Sequence, residues 1–408
     1  MKSISLVKIS LLTLTALGFF SNSAFAQSGQ NQNKQFERLG LNPITTSVPF
    51  LLIAPESRGG AMGDAGVATS PDATSMHWNA SKLAFIEKKS GVAVAYTPWL
   101  RTLVPDISLA YLSGFYRLSK KGTIGTSLRY FSLGKIEFTN ETGQSLGPRT
   151  PNELAYDIGY AHQLSKNFSG AFALRYIYSN LTMNIDGQSI PAQTVAADLS
   201  GYYHKDVKVS GKKGEFAAGL NISNLGGKVK YSNSGKRNFI PMNMKLGACL
   251  KLDIDDYNSI AFTVDFNKLL VPTLPTYMKT EEGKDSVNSE GIKVIEAGMD
   301  PNVSVAQGVF QSFYDAPGGF IEEMQEINIS GGIEYWYAKQ FALRTGYFYE
   351  APNKGNRQYF TIGAGLKYNI FNLDFSYLIS ALRNNPLDNT LRFTLSFNFD
   401  DIKAKEEE

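Results

Sequence analysis

Three histidines and the neighbouring serines are the residues of this sequence that could do acid–base or nucleophilic chemistry. His77 lies in a stretch of small residues, and His162 and His204 lie in segments of alternating polarity. A Ser–His pair could hydrolyse a lipid ester, but no histidine falls near the outer rim of the lipid-facing wall in the strand arrangement given below. The three are also too scattered in sequence to form a zinc site. We therefore predict no catalytic residues, no metal and no enzyme.

The stretch 57–85, SRGGAMGDAGVATSPDATSMHWNASKLAF, is dense in glycine and alanine. Its GGAMGDAG run has no strand–turn–helix context, so phosphate binding is not expected, and no cofactor is predicted. Small residues favour close backbone packing. The stretch is predicted to fold as a plug in a space too narrow for bulky side chains, and the alternative is a surface loop. The predicted plug residues are Arg58, Gly59, Gly60, Gly63, Asp64, Gly66, Asp72 and Asn79.

Fourteen segments with a period of two follow this stretch, which predicts an all-β chain. In the last of them, Phe393, Leu395 and Phe397 alternate with polar residues. The predicted strands are 90–98, 106–117, 121–139, 152–164, 167–182, 192–204, 213–224, 240–253, 257–268, 326–337, 339–350, 357–369, 371–380 and 388–400.

The connections between these segments are alternately short and long, apart from the one after the sixth strand, which is the longest of the short set. The ninth, 269–325, is the longest of all. This alternation is typical of a membrane barrel with periplasmic turns and extracellular loops. We therefore predict a 14-stranded antiparallel transmembrane β-barrel with both termini on the periplasmic side. In a soluble periplasmic sandwich or propeller, the connections at one end of the strands would not be expected to be short throughout.

The same alternation places charged side chains on the lumen face of the predicted barrel. Inside a barrel, opposite charges can pair across strands, and we expect a network that holds the plug, with Arg58, Asp64 and Asp72 pairing with residues such as Arg129 and Asp374. A water-filled lumen with solvated charges is the alternative. The predicted lumen charges are Arg129, Asp157, Arg175, Asp198, Asp265, Glu334, Arg344 and Asp374.

The N-terminus has the features of a secretory signal peptide, 1–26: two lysines, an apolar run over 9–20 and an A-x-A site. It predicts export by the general secretory route. The mature chain would be nearly neutral, so no nucleic-acid partner is expected, and its single cysteine, Cys249, excludes a disulfide framework. The expected organisation is an N-terminal periplasmic segment and plug over 27–89, a barrel over 90–400 and a charged periplasmic tail over 401–408.

Two of the predicted extracellular loops are apolar for exposed segments. Such loops indicate a contact surface for protein or lipid, and the alternative is that they fold back onto the barrel mouth. The residues expected to bind a partner are Trp99, Leu100, Leu103, Phe310, Phe313, Tyr314 and Phe320.

The stretch 57–85 resembles the N-terminal signature of FadL-type outer-membrane proteins. The fuller run TSVPFLLIAPESRGGAMGDAGVATSPDATSMHWN resembles the narrower PorV family of the type IX secretion system of Gram-negative bacteria. The resemblance extends from about residue 46 to the C-terminus. One departure is at 78–82, where this chain has WNASK and the family pattern has WNPAK, so the turn that the proline would fix is less constrained here.

The resemblance implies a location in the cell outer membrane, in contact with outer-membrane lipid and lipopolysaccharide. It also implies a non-enzymatic role in type IX secretion. The protein would bind the large translocon barrel, accept the C-terminal signal domain of exported cargo and deliver it to the surface attachment complex. FadL-type relatives imply the alternative, which is transport of hydrophobic small molecules.

Overall fold

A computed structural model describes residues 41–400, apart from residues 102, 103, 105, 141, 182, 184–188, 283, 383 and 384. The predicted signal peptide, the stretch 27–40, the tail 401–408 and the expected contact residue Leu103 lie outside the described residues. Within the described part, no helix is long and apolar enough to cross a membrane.

Fourteen antiparallel strands form a closed barrel in which each strand pairs with its neighbours in sequence, and β1 closes the barrel against β14. This confirms the predicted fold. The strands are β1 (Ser90–Pro98), β2 (Ser108–Arg117), β3 (Gly122–Ser132), β4 (Asn152–Gln163), β5 (Phe168–Asn180), β6 (Ala192–Val209), β7 (Lys212–Gly226), β8 (Asn243–Asp253), β9 (Asn258–Leu269), β10 (Asn328–Tyr337), β11 (Phe341–Tyr349), β12 (Gln358–Tyr368), β13 (Phe371–Ser380) and β14 (Leu391–Phe399).

The side-chain period of two separates an apolar outer wall from a polar inner wall. In β14, Arg392 and Thr394 are buried in the lumen, while Phe393 is exposed on the outside. A slip of one residue would exchange the two faces of a strand. The pattern therefore fixes the pairing register, which runs from Ser90↔Phe399 to Tyr96↔Phe393 at the closing seam.

The two ends of the barrel differ in their connections. At the short-turn end the strands are joined by two to four residues, and at the long-loop end by eight or more. The prediction that the turn after β6 is the longest of the short set is wrong. Ser210 and Gly211, both with positive φ, form a two-residue turn, because β6 and β7 continue as a paired hairpin beyond Phe168, the first residue of β5.

The connection 270–327 contains two short helices, α3 (Val305–Gln311) and α4 (Phe320–Gln325). Two small hairpins also lie at the long-loop end. They pair Ile136–Thr139 with Ser145–Arg149, and Thr276–Tyr277 with Ile295–Ala297.

Residues 47–86, which we call the lumen segment, lie inside the barrel. Backbone amides of the segment donate to inward-facing side chains of β14, β9 and β6, at Thr394, Asp265 and Ser200. The segment forms two single-turn helices, α1 (Ser57–Gly60) and α2 (Ser75–Trp78), and two 3-10 helices, Pro49–Leu52 and Ala80–Phe85.

The lumen segment crosses the barrel lengthwise and begins at the long-loop end. The backbone N–H of Asn42 donates to the backbone carbonyl of Asn353 at 2.9 Å, and Asn353 lies in the connection between β11 and β12. Val48 and Phe50 pack in an apolar cluster with Ile240 of another long connection. The expectation that the N-terminal segment enters from the short-turn side is therefore wrong for its described part, because this apolar cluster holds the chain at the opposite mouth.

Candidate functional site

Glu56 organises the first turn of the lumen segment. Its carboxylate accepts hydrogen bonds from the amides of Arg58 and Gly59, at 2.5 and 2.6 Å, and so caps the helix Ser57–Gly60. The same carboxylate accepts from Trp78 Nε1 at 2.8 Å. One buried acid therefore joins the two halves of the segment.

The predicted plug glycines are positions where neighbours leave no room for a side chain. A Cβ at Gly59 or Gly66 would overlap the Trp78 ring, and one at Gly60 would meet Arg392. Gly63 has φ +70° and lies against the backbone of β11. Glycines of the barrel wall also allow close contact with the segment, since a Cβ at Gly332 or Gly346 would overlap Met62. Sequence reasoning missed these wall glycines.

Arg58 is the centre of a chain of alternating charges that crosses from the segment to the wall. Its guanidinium binds Asp72 at 2.8 Å within the segment and both Glu334 oxygens at 2.9 Å on β10. Arg344 then binds Glu334 at 2.8 Å and Asp374 at 2.7 Å. Bidentate Arg–carboxylate pairs are directional, so this chain of charges fixes the position of Arg58.

A second charge group lies within the barrel wall. Arg175 binds Asp157 at 2.5 Å and Asp198 at 3.0 Å, and it also donates to Asn224. Ser127 donates to Asp157 at 2.6 Å. This group joins β3 to β7 and makes no ion pair with the lumen segment among the described residues.

The remaining predicted charges hold backbone groups of the lumen segment. Arg129 donates to the Leu51 carbonyl at 2.7 Å, and it has no carboxylate partner within the described chain. Asp265 accepts from the amides of Gly66 and Val67 at 2.7 and 3.0 Å. The wall thus binds the segment through backbone groups as well as through ion pairs.

The predicted partners of the plug charges differ from those observed. Asp64 accepts from the Tyr359 hydroxyl at 2.6 Å and lies 3.4 Å from Arg392. Neither Arg129 nor Asp374 pairs with Arg58, Asp64 or Asp72, because Arg344 binds Asp374 and Arg129 is turned to the segment's backbone.

The connection 270–327 is anchored at the long-loop end by buried ion pairs. Lys268 binds Glu323 at 2.9 Å and Glu326 at 2.7 Å. Lys354 binds Glu322 at 2.5 Å and Glu326 at 3.0 Å. These five side chains are almost fully buried. They tie α4 both to strand β9 and to the connection between β11 and β12.

Two carboxyl groups of this connection have shifted pKa values. Burial raises the pKa of Asp315 to about 6, although the Gln311 side chain and the Thr273 amide donate to it. Burial is also the largest single influence on Glu322, but the hydrogen bonds from Lys354, the Gly318 amide and Asn42, together with the charge of Lys354, outweigh it and lower the pKa of Glu322. Asp315 therefore opposes the packed state when it is ionised, whereas Glu322 favours it.

Four of the expected contact residues are exposed aromatic side chains of the same connection. Phe310 and Phe320 are 71% and 77% exposed, and Phe313 and Tyr314 are also exposed. We call these four residues the aromatic face. Two residues of the other predicted loop differ. Trp99 is half-buried against the apolar cluster at the mouth, and Leu100 is half-buried as well.

The model of the family described as "Type IX secretion system protein PorV" matches residues 34–276, which is more than half of the chain. The chain belongs to the PorV family. Since its barrel is closed and apolar on the outside, its location is the outer membrane. No curated protein matches the chain.

Solved structures with a similar arrangement are distant in sequence. The "TodX monoaromatic hydrocarbon channel deltaS2 mutant" is 14% identical with a TM-score of 0.45, and the match covers 85% of this chain and 98% of that one. The CymD monoaromatic hydrocarbon channel is 12% identical with a TM-score of 0.45, covering 87% and 99%. A Pseudomonas aeruginosa FadL homologue is 10% identical with a TM-score of 0.39, covering 85% and 99%.

The departure from the PorV pattern at residue 80 is compensated by its neighbour. Asn79 accepts from the Ser81 amide at 3.1 Å and so caps the 3-10 helix that begins at Ala80. Its Nδ2 donates to the carbonyls of Val67 and Gly201. The turn that a proline would restrict is held by one buried amide side chain.

Proposed function

We propose that this PorV-family chain is a non-enzymatic component of type IX secretion. It would bind the large translocon barrel, accept the C-terminal signal domain of exported cargo and deliver it to the surface attachment complex. The observation that carries the proposal is the family match over residues 34–276. The aromatic face offers a surface on which such partners could dock.

The packing of the lumen supports an adaptor rather than a transporter. The lumen segment is bound to the wall by the Arg58 chain of charges and by backbone bonds to Asp265, Thr361 and Thr394. Next to Arg58 and Trp78, the cavities beside the segment hold only about 20 and 50 Å³. A larger cavity of about 390 Å³ lies between Pro49 and Leu52 of the segment and the long connections. Passage of a hydrophobic solute would need several of these buried contacts to break together. We therefore regard the segment as a plug that stays in place.

The proposed orientation puts the long-loop end outside the cell and the short turns in the periplasm. It follows the rule that outer-membrane barrels have short periplasmic turns. The aromatic face would then be exposed on the cell surface, beside the outer leaflet. A partner within the membrane and cargo leaving it could both reach this face.

The described contacts of the three histidines are to an arginine, a tyrosine and a glutamate. His77 Nδ1 lies 2.6 Å from Arg129 Nη2, and His162 Nδ1 lies 3.1 Å from the Tyr160 hydroxyl. His204 lies 3.7 Å from Glu215. Among the described residues, no group of three or more His, Cys, Asp or Glu could hold a metal ion.

The test replaces Phe310, Tyr314 and Phe320 with serine and follows cargo release into the medium. These side chains are exposed, so the barrel should still fold and insert while cargo release falls at least tenfold. The matched control changes Val287 and Ile292, two exposed apolar residues of the same connection, to serine. Unchanged secretion, together with reduced uptake of a hydrophobic compound, would favour the transporter instead.

A further inference from the structure

Helix α4 of the connection 270–327 lies against the outer wall of the barrel. Asp265 and Asn267 face the lumen, so the alternation of β9 directs Phe266 and Lys268 outward. Lys268 is nevertheless only 6% exposed, because Glu323 and Glu326 cover it. Because Lys268 points out of the barrel and is covered by glutamates of α4 and its C-terminal end, α4 packs on the outer surface of β9.

A groove of about 290 Å³ separates α4 from the wall. One side is the wall itself, formed by outward residues of β8 and β9, and the other side comes from the connection. Its apolar lining residues include Met244, Leu246, Phe266, Phe313, Phe320 and Met324. A methylene group has nearly the volume of a water molecule, so the groove has room for roughly ten of them.

The charged groups of the groove neutralise each other. Lys268 and Glu323 both line it, and their side chains bind each other at 2.9 Å. The Lys268 ammonium also lies 5.9 Å from the centre of the Phe313 ring. The groove therefore offers little to a polar ligand, while an unbranched hydrocarbon chain would lose no hydrogen bonds on entering it.

The groove is continuous with the lipid-facing wall. Leu246 lies three residues from the start of β8, and Phe266 lies three residues from the end of β9. These positions are about 10 Å along the strand from the long-loop rim. Both side chains are nearly half exposed, as is Phe262 further along β9. The groove thus opens sideways onto the apolar belt of the barrel.

From this continuity we infer that the groove is a binding site for one acyl chain of a membrane lipid, which α4 holds against β8 and β9. A protein side chain could fill part of the groove, but its sideways opening towards the bilayer favours lipid. The inference rests on the outer-membrane location and not on the role in secretion. Either proposal can therefore fail while the other stands.

The test uses the full protein in nanodiscs with a phosphatidylethanolamine that carries a diazirine on its acyl chain. Mass spectrometry after irradiation should find several-fold more label on peptides containing Phe313 and Met324 than on the peptide containing Phe360. Phe360 is an outward residue of β12 near the same rim and is 53% exposed. Equal labelling at the two places would mean bulk lipid only and would overturn the inference.

A groove-filling variant provides the second arm. Leu246→Trp should reduce the label on Phe313 and Met324 several-fold, whereas Phe360→Trp should leave it unchanged. Heat-modifiable migration on gels confirms that each variant is folded. Labelling that persists in folded Leu246→Trp would contradict the inference. So would a co-purified protein, rather than lipid, found cross-linked to a photoreactive residue at position 324.

Discussion

Replacing Arg58 with methionine tests whether the lumen segment is locked to the wall by charge. The change keeps most of the side-chain volume and removes the guanidinium that joins Asp72 to Glu334. Arg58 and Glu334 are 13% and 6% exposed in their side chains, so water cannot fully replace the lost interaction. We expect the segment to be held less tightly and the barrel to be less stable.

The expected loss in free energy of unfolding depends on the interactions that Glu334 and Asp72 retain without Arg58. Removing one member of a buried ion pair costs about 3–5 kcal/mol. Glu334 keeps Arg344 at 2.8 Å, and Asp72 keeps hydrogen bonds from the amide and hydroxyl of Thr74. The loss should therefore be near the lower limit, at about 3 kcal/mol. The exposed pair Lys88–Asp400 gives the control, since Lys88→Met should cost under about 1 kcal/mol.

The assay is reversible urea unfolding in lipid bilayers, followed by tryptophan fluorescence, for wild type, Arg58→Met, Glu334→Gln and the double variant. A double-mutant cycle isolates the pair, and we expect a coupling energy above about 1 kcal/mol. A loss below about 1 kcal/mol for Arg58→Met, with no coupling to Glu334, would refute the locked-segment argument.

Three further predictions concern packing, the long-loop anchor and pH. Gly346→Ala should destabilise the barrel by about 1–3 kcal/mol in the urea assay, because its Cβ would overlap the lumen segment, while Gly331→Ala, with open space around it, should not. Lys268→Met should speed limited proteolysis of the connection 270–327 at least tenfold, because buried Glu323 loses its cation and Glu326 keeps only Lys354. The exposed Lys284→Met should not change the rate. Burial raises the pKa of Asp315 from 3.8 to about 6. The stability of the packed connection should therefore fall as the pH rises through that range. Hydrogen exchange in the connection should increase over the same range in the wild type but not in Asp315→Asn.

The barrel could be predicted because its determinants are local. A strand with lipid on one side must alternate, and the alternation gives strand number and facing directions without knowledge of distant contacts. The observed bounds of β1 and β13 are the predicted ones, and most others differ by one to three residues. The larger differences are at β3, which ends seven residues before its predicted end, and at β6, which ends five residues after it. The tips of β6 and β7 pair only with each other and carry charged residues on both faces.

The contacts of the lumen segment could not be predicted in the same way. Alternation indicates that Glu334, Arg344 and Asp374 face inward, but not which of them Arg58 reaches. That choice depends on the path of a segment without regular periodicity, and small residues such as Gly346 set this path. The position of Trp99 likewise depends on the path of a connection without regular periodicity. This apolar residue lies against the apolar cluster at the mouth instead of facing outward.

The most direct test of the proposed role is to purify the tagged protein in mild detergent from cells that secrete cargo, and to identify what accompanies it. We expect a much larger β-barrel and proteins bearing a C-terminal signal domain, both lost when Phe310, Tyr314 and Phe320 are changed to serine. A wild-type protein that purifies alone, or a serine variant that keeps both partners, would contradict the proposed role.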